Sequence, residues 1–357
     1  MATRTSASDK RNELADQRRK VDFDTYDVTV DELLRRVATS RIDIAPVYQR
    51  QFRWDVARQS CLIESVLLGI PVPPLFMATN QGDDVRSSWE VVDGLQRLLT
   101  LVNFAGSAEA RAVARLSADP LRLKEVEKLT SFEGSLFADL PDDLRTTFED
   151  RPLKVIVLND KSELQVRYDL FERLNTGGIS LSPQEIRECV FRGEFMDLLG
   201  ELAKSADFKT VVALPNNKWR DGTPEDFVLR YFAFTERYQH FGHLVNDFLR
   251  DFTVMAQREP HVDERRTRFQ RTFHFLAKCF PDGVRTRKGA TPVNLFEGLS
   301  AGAALALDVN PGLPVPSTVA WVSSDELRNF TTGATNSRPR VLGRIEYCRD
   351  RFLSGDA

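Results

Sequence analysis

The strand-like runs of this sequence all fall in its first half, and that asymmetry limits the fold more than any other feature. "FDTYDVTV" (23–30) alternates with a period of two, "RIDIAP" (41–46) is a short run closed by proline, and "PVPPLFMAT" (71–79) and "SSWEVVDG" (87–94) flank a polar hairpin loop. "PLKVIVLND" (152–160) is the clearest strand, an apolar run between charges. Helical periodicity fills the gaps. It covers "VDELLRRVATS" (30–40), "LQRLLTLVNFA" (95–105), a short "DDLRTTFED" and "SELQVRYDLFERLN" (162–175). In "VARQSCLIESVLLG" (56–69) the residues Cys61, Leu62, Ser65, Val66 and Leu68 fall near one face, and Gly69 is a natural stop. Ser182, Pro183 and Glu185 spell a capping box at the start of a further helix. Beyond about 195 only helical segments remain, near 194–205, 223–239, 244–257, 263–279, 293–307 and 338–353.

The expectation is therefore an α+β chain. A flexible or weakly helical charged arm occupies 1–22, a domain with a small mixed sheet 23–195, and an all-helical domain 196–357. Hydrophobic residues at 42% and charged residues at 28% suit a globular chain with a sizeable core. No run approaches the roughly 18 apolar residues of a membrane span, and the first twenty residues carry no apolar stretch of the secretory kind. Cys61, Cys189, Cys279 and Cys348 are scattered without a CxxC pair, which reads as buried thiols in a reducing cytoplasm, the expected location. A net charge of −3 excludes nucleic-acid binding by bulk charge alone. The basic residues are mostly arginine, whose planar fork suits phosphate.

Polar groups crowd two strand ends. In "VVDGLQRLLTL" (91–101) a strand runs through Asp93 and Gly94 into a helix that starts near Leu95, so free backbone N–H groups and the positive end of the helix dipole meet at one turn. Gly94 admits close approach to the backbone, Arg97 adds a fork of donors, and Asp93 either caps the helix or holds a metal through water. The plain alternative is an Asp N-cap with a surface arginine. "PVYQRQFRW" (46–54) sets Gln49, Arg50 and Arg53 among Tyr48, Phe52 and Trp54, a set able to stack on a base or fork onto a phosphate, or merely to anchor the core. Asn175 ends a helix before a Gly-Gly turn, where it serves equally as a C-cap.

Taken in order, "IDIAPVYQRQFRW", "LIESVLLGIPVPPLF", "WEVVDGLQRLLTL" and "LFERLNTGGISLSPQEIR" resemble the N-terminal domain of GmrSD-type restriction endonucleases, a branch of the ParB/sulfiredoxin-like fold, over roughly residues 25–195. The resemblance implies a nucleotide-handling domain of a bacterial restriction or anti-phage system, binding and hydrolysing an NTP (GTP or ATP) with Mg2+. Carried over residue by residue, the family's Asp-Gly-Gln-Gln-Arg loop falls on Asp93, Gly94, Leu95, Gln96 and Arg97. It implies catalytic roles for Asp93, Gln96 and Arg97, and nucleotide contacts for Gln49, Arg50, Gly94 and Asn175. Leu95 stands where the family has its first Gln, which weakens the case for turnover unless that side chain belongs to the core. The family's HNH-like nuclease half finds no match among His240, His243, His261 and His274, so a separate nuclease subunit and DNA are the expected partners, and no membrane. Helical spacing of His240 and His243 offers a weak metal site or a surface pair. Arg265, Arg266, Arg268 and Arg271 offer a phosphate-tracking face or a solvated one. The alternatives are a DNA-binding switch module that holds nucleotide without turnover and, further off, a ParB-like nuclease.

Overall fold

The structure, a computed structural model, describes residues 6–18, 22–44, 54–80, 88–159, 168–170, 173, 182–191, 193–284, 289–333 and 335–355. The chain divides into two compact units, Met1–Ser180 and Leu181–Ala357.

The first unit opens with helix α1 (Ala7–Arg18) and is built on five strands, β1 (Phe23–Thr29), β2 (Ile42–Asp43), β3 (Leu75–Asn80), β4 (Ser88–Asp93) and β5 (Pro152–Leu158). They lie in the order β1-β5-β3-β4-β2. β1 pairs antiparallel with β5 and β3 antiparallel with β4, whereas β3 runs parallel to β5 and β2 parallel to β4. The sheet is thus mixed, as expected for the fold that the resemblance implies. The parallel β3–β5 pair needs a long crossover, and α4 (Leu95–Ala105), α5 (Ala108–Val113) and α6 (Asp142–Glu149) lie within it. One core beneath the sheet joins Val28, Val91, Val155 and Val157 to Leu33 and Val37 of α2 (Val30–Ala38), Ile63 and Val66 of α3 (Val56–Leu68), and Leu98 and Val102 of α4.

Helix α3 departs from the face expected for it. Leu62 and Val66 are buried, but Cys61 and Leu68 are exposed, and the polar residues Gln59, Ser60 and Glu64 are buried instead. Their burial has a purpose, because an irregular stretch of chain lies against this helix and brings unpaired backbone donors with it. Ser60 Oγ accepts from the Lys124 N–H at 2.9 Å, and the Glu64 carboxylate accepts from Lys128 at 2.6 Å, Leu129 at 2.7 Å and Glu127 at 3.4 Å. Buried donors must find partners, and periodicity cannot tell that a serine and a glutamate will supply them. At the other end of α3, Gly69 takes the left-handed conformation (φ +73°), and Arg151 Nε donates to the Val66 carbonyl at 3.1 Å.

The second unit is helical: α7 (Pro183–Val190), α8 (Glu194–Leu202), α9 (Ala206–Val211), α10 (Thr223–Arg237), α11 (Val245–Arg258), α12 (Val262–Cys279), α13 (Val293–Val309), α14 (Asp325–Thr331) and α15 (Arg338–Ser354). The capping box stands on α7, with Ser182 and Glu185 exchanging bonds. Gly302 lets α13 and α15 touch, since a Cβ there would lie 2.6 Å from Cys348 Cβ. A largely buried ion ladder crosses the helices: Arg187 meets Asp226 at 2.5 Å, Asp226 meets Arg230 at 2.6 Å, Arg230 meets Glu297 at 2.6 Å, and Glu297 meets Arg344. Burial, with Glu225 and Asp226 close by, pushes the Glu188 carboxyl up to about 10. It is therefore neutral at physiological pH, where Gln184 donates to it at 2.7 Å. Of the cysteines, Cys279 and Cys348 are the buried thiols expected, Cys61 is exposed, and Cys189's side chain lies outside the description.

Glu64 yields a test. Burial alone would raise its carboxyl, but the hydrogen bonds from Leu129, Lys128 and Glu127 outweigh burial and hold it below the usual carboxylate range. A carboxyl lowered on folding stabilises the fold above its unfolded value of about 4.3, and that contribution disappears as pH falls through the lowered folded value. In urea unfolding, Glu64→Gln is expected to cost about 1–3 kcal/mol at pH 7, with the gap to wild type closing under acid. A gap unchanged by pH would contradict this reading.

Candidate functional site

The turn between β4 and α4 owes its shape to a bulge. Phe76 faces Asp93 across the sheet while Met77 faces Val91, so Val92 is an extra residue in β4. A bulge re-aims the side chain that follows it, and here that side chain is Asp93, at the strand's end. Gly94 then takes φ +94° and serves as N-cap of α4, with no side-chain cap hydrogen bond. Asp93 is consequently not the cap. The glycine is obligatory on two counts. Its left-handed backbone is costly for other residues, and a Cβ would lie 2.4 Å from Leu75 Cδ2 and 3.1 Å from an Arg97 guanidinium nitrogen. Leu95, the departure from the family loop, is 7% exposed and packs in the core, so it leaves the polar face of the turn unchanged.

Arg97 folds back over Gly94. One guanidinium nitrogen donates to Asp93 Oδ2 at 2.6 Å and the other terminal nitrogen to the Pro73 carbonyl at 2.9 Å. The arginine side chain is 13% exposed against 43% for the aspartate, so the carboxylate is the more accessible member of the pair. The left-handed turn at Gly94 brings the end of β4 back to the first turn of α4 so that the two charges meet, and the Pro-Pro segment before β3 adds the third point of the clamp.

Gln96 acts differently from expectation. Its Oε1 accepts the backbone N–H of Trp54 at 3.2 Å. The Trp54 carbonyl in turn accepts from Gln59 Nε2 at 2.9 Å, and Gln59 Oε1 accepts from Asn103 Nδ2 at 2.9 Å. A chain of amides thus runs along α4 from Gln96 to Asn103 and holds the end of the "PVYQRQFRW" segment against the helix. Two of the sequence segments singled out for phosphate chemistry therefore meet at Trp54 and Gln96. Gln49, Arg50 and Asn175 lie outside the described residues, as do Tyr48, Phe52 and Arg53. Pro73, Leu75, Gln59 and Asn103 were not singled out from sequence. Gln59 carries the one usable signal, a polar residue in phase with Ile63 and Val66 on a core-facing stripe.

Elsewhere the candidate features resolve into structure. Arg265 forks onto Glu236 with both bonds at 2.9 Å, Arg266 pairs with Glu201 at 2.9 Å and Asp263 at 2.7 Å, and Arg268 and Arg271 share Asp308. These arginines make a carboxylate-paired helix rather than an open phosphate track. His240 closes a 3₁₀ turn (Tyr238–His240) and His243 follows in non-helical chain, both exposed, so the helical spacing expected of them is absent. Among the described residues no three His, Cys, Asp or Glu side chains cluster as a metal-binding group, and no helix is long and apolar enough to cross a membrane.

The clamp on Trp54 can be observed directly. Replacing Gln96 by Ala removes the acceptor of the Trp54 N–H, and amide hydrogen exchange at Trp54 is expected to accelerate about tenfold or more if the bond contributes over ~1.4 kcal/mol locally. Unchanged exchange at Trp54 would show that Gln96 does not hold the segment.

No curated protein matches the chain. Residues 30–192, which run from α2 through the bulged turn to α7, match the family model described as "GmrSD restriction endonuclease, N-terminal domain".

Proposed function

We propose that the turn Asp93–Arg97 binds the phosphates of an NTP, GTP or ATP, and that the chain serves as the nucleotide-handling component of a restriction or phage-defence system, acting on DNA together with a separate nuclease. The observation that carries the proposal is the combination at one point of a helix start without a side-chain cap, a left-handed glycine and a half-buried arginine. Such a helix start favours an anion through its N–H groups and its dipole. In the free turn Arg97 and Asp93 satisfy one another. A phosphate oxygen offers Arg97 an equivalent acceptor, and the displaced Asp93 carboxylate becomes available to hold Mg2+, directly or through water. A single carboxylate suits Mg2+, which takes most of its other ligands from phosphate and water. The ion would neutralise charge on the phosphates when bound. Arg97 would then stabilise the charge that develops on the terminal phosphate during attack by water.

One observation favours the second reading, a switch that binds nucleotide without turning it over. Gln96, the amide best placed by sequence to orient a water, uses its oxygen on the Trp54 backbone. In that case nucleotide at the turn would reposition the Trp54 segment and, through it, a DNA- or nuclease-binding surface.

Phosphate release from each of the four NTPs with Mg2+, with and without DNA, separates the readings. NTP hydrolysis at this turn predicts that Arg97→Ala lowers kcat/KM by about 100-fold or more, the scale of losing one transition-state donor. The switch reading predicts binding without release in wild type, lost in Arg97→Ala. Absence of nucleotide binding in wild type would refute both.

A further inference from the structure

The amide chain along α4 ends in a cleft of about 310 Å³ that none of the roles above uses. Its lining falls into three chemical zones. Val56 of α3 and Leu116 of the chain after α5, with Pro120, give apolar walls. Gln59, 4% exposed, and the half-buried Asn103 give a pair of amides. Arg122 and Lys124, both exposed, give the positive charge, and Asp119 stands near them.

The amides are held in place. Gln59 donates to the Trp54 carbonyl and accepts from Asn103, so neither side chain is free to rotate. An amide has two N–H donors and a carbonyl acceptor, and these bonds take one N–H from each residue. One N–H of each amide and the Asn103 Oδ1 acceptor are not used by these bonds, on two residues that line the cleft. That pattern matches the edge of a base, and adenine in particular, where an Asn or Gln accepts from N6 and donates to N7. Asp119 is of the type that accepts from a ribose hydroxyl, and Arg122 and Lys124 suit a phosphate. The volume stands at the small end of ligand sites, too small for a duplex and of the order of one nucleotide.

We propose that this cleft is a binding site for a base-bearing mononucleotide, of adenosine 5′-monophosphate type, separate from the Asp93–Arg97 turn and independent of what that turn binds. Because Gln59 also holds the Trp54 carbonyl, occupancy of the cleft bears on the same segment that Gln96 grips from the other side.

The experiment uses the full chain and AMP, with inorganic phosphate and ribose 5-phosphate as competitors, in equilibrium dialysis, and 8-azido-AMP as a photolabel mapped by peptide mass spectrometry. The cleft predicts AMP binding that survives Arg97→Ala, is lost in Leu116→Trp, which fills the slot, and weakens about tenfold in Arg122→Ser/Lys124→Ser. It predicts label on residues 116–124. The photolabel and the exposed double variant keep the test sharp should Leu116→Trp fail to fold. Label on residues 93–97 with AMP binding lost in Arg97→Ala would overturn the cleft and leave the turn as the nucleotide site. Competition by phosphate or ribose 5-phosphate as strong as by AMP would overturn the reading of a base. Absence of AMP binding would overturn the proposal outright, whatever the turn does with an NTP.

Discussion

The guanidinium of Arg97 lies over Gly94 and joins three separate pieces of chain: the end of β4 through Asp93, the approach to β3 through the Pro73 carbonyl, and its own helix. Everything else at the candidate site depends on that placement. The bulge at Val92 delivers Asp93 to the arginine, the left-handed glycine turns the chain beneath it, and Leu75 closes the space that any other residue at 94 would need. A charge pair at this depth is worth more than one in open water but has been partly desolvated to get there. It is therefore a poor device for stability alone. It is a good one for a site that must hold a cation ready and exchange its partner when an anion arrives.

Helix α4 carries the second half of the arrangement. Its Gln96 and Asn103, two turns apart on one face, grip Trp54 and Gln59. The segment ahead of Trp54 contains the arginines and aromatics that sequence marks as the second wall of a nucleotide pocket, and the amide chain fixes where that segment ends. Helix α3 completes the frame by using buried Ser60 and Glu64 as acceptors for backbone N–H groups between Lys124 and Leu129. Side chains that periodicity would assign to a solvent face thus replace the regular hydrogen bonding that the 116–129 chain lacks.

Much of this fold was legible in the sequence because its strands and helices obey local rules. The β5 run, the Ser182-Pro183-Glu185 box and the Gly69 stop each encode their element within a few residues, and α10, α11, α12, α13 and α15 stand where helical periodicity puts them. What was not legible depends on partners far away in the chain. The buried face of α3 could not be read because its polar members answer donors more than sixty residues on. The basic appearance of α12 was misleading for the same reason: Glu236, Glu201 and Asp308, which neutralise it, come from other helices. At the turn, residue types pointed to phosphate chemistry, but the pairing of Asp93 with Arg97 was not read, because it depends on the bulge at Val92 and the left-handed turn at Gly94. The role of Gln96 toward Trp54 had no local signal, since its partner is a backbone group forty-two positions earlier.

The most direct measurement is a titration of the isotopically labelled full chain with a slowly hydrolysed GTP or ATP analogue and Mg2+, following backbone amide shifts by NMR. The account predicts that the largest changes fall on the N–H groups of Leu95, Gln96 and Arg97, the start of α4, with the Arg97 side-chain signals moving as its bond to Asp93 is exchanged. Saturable shifts elsewhere in the chain, with these amides unmoved, would contradict it.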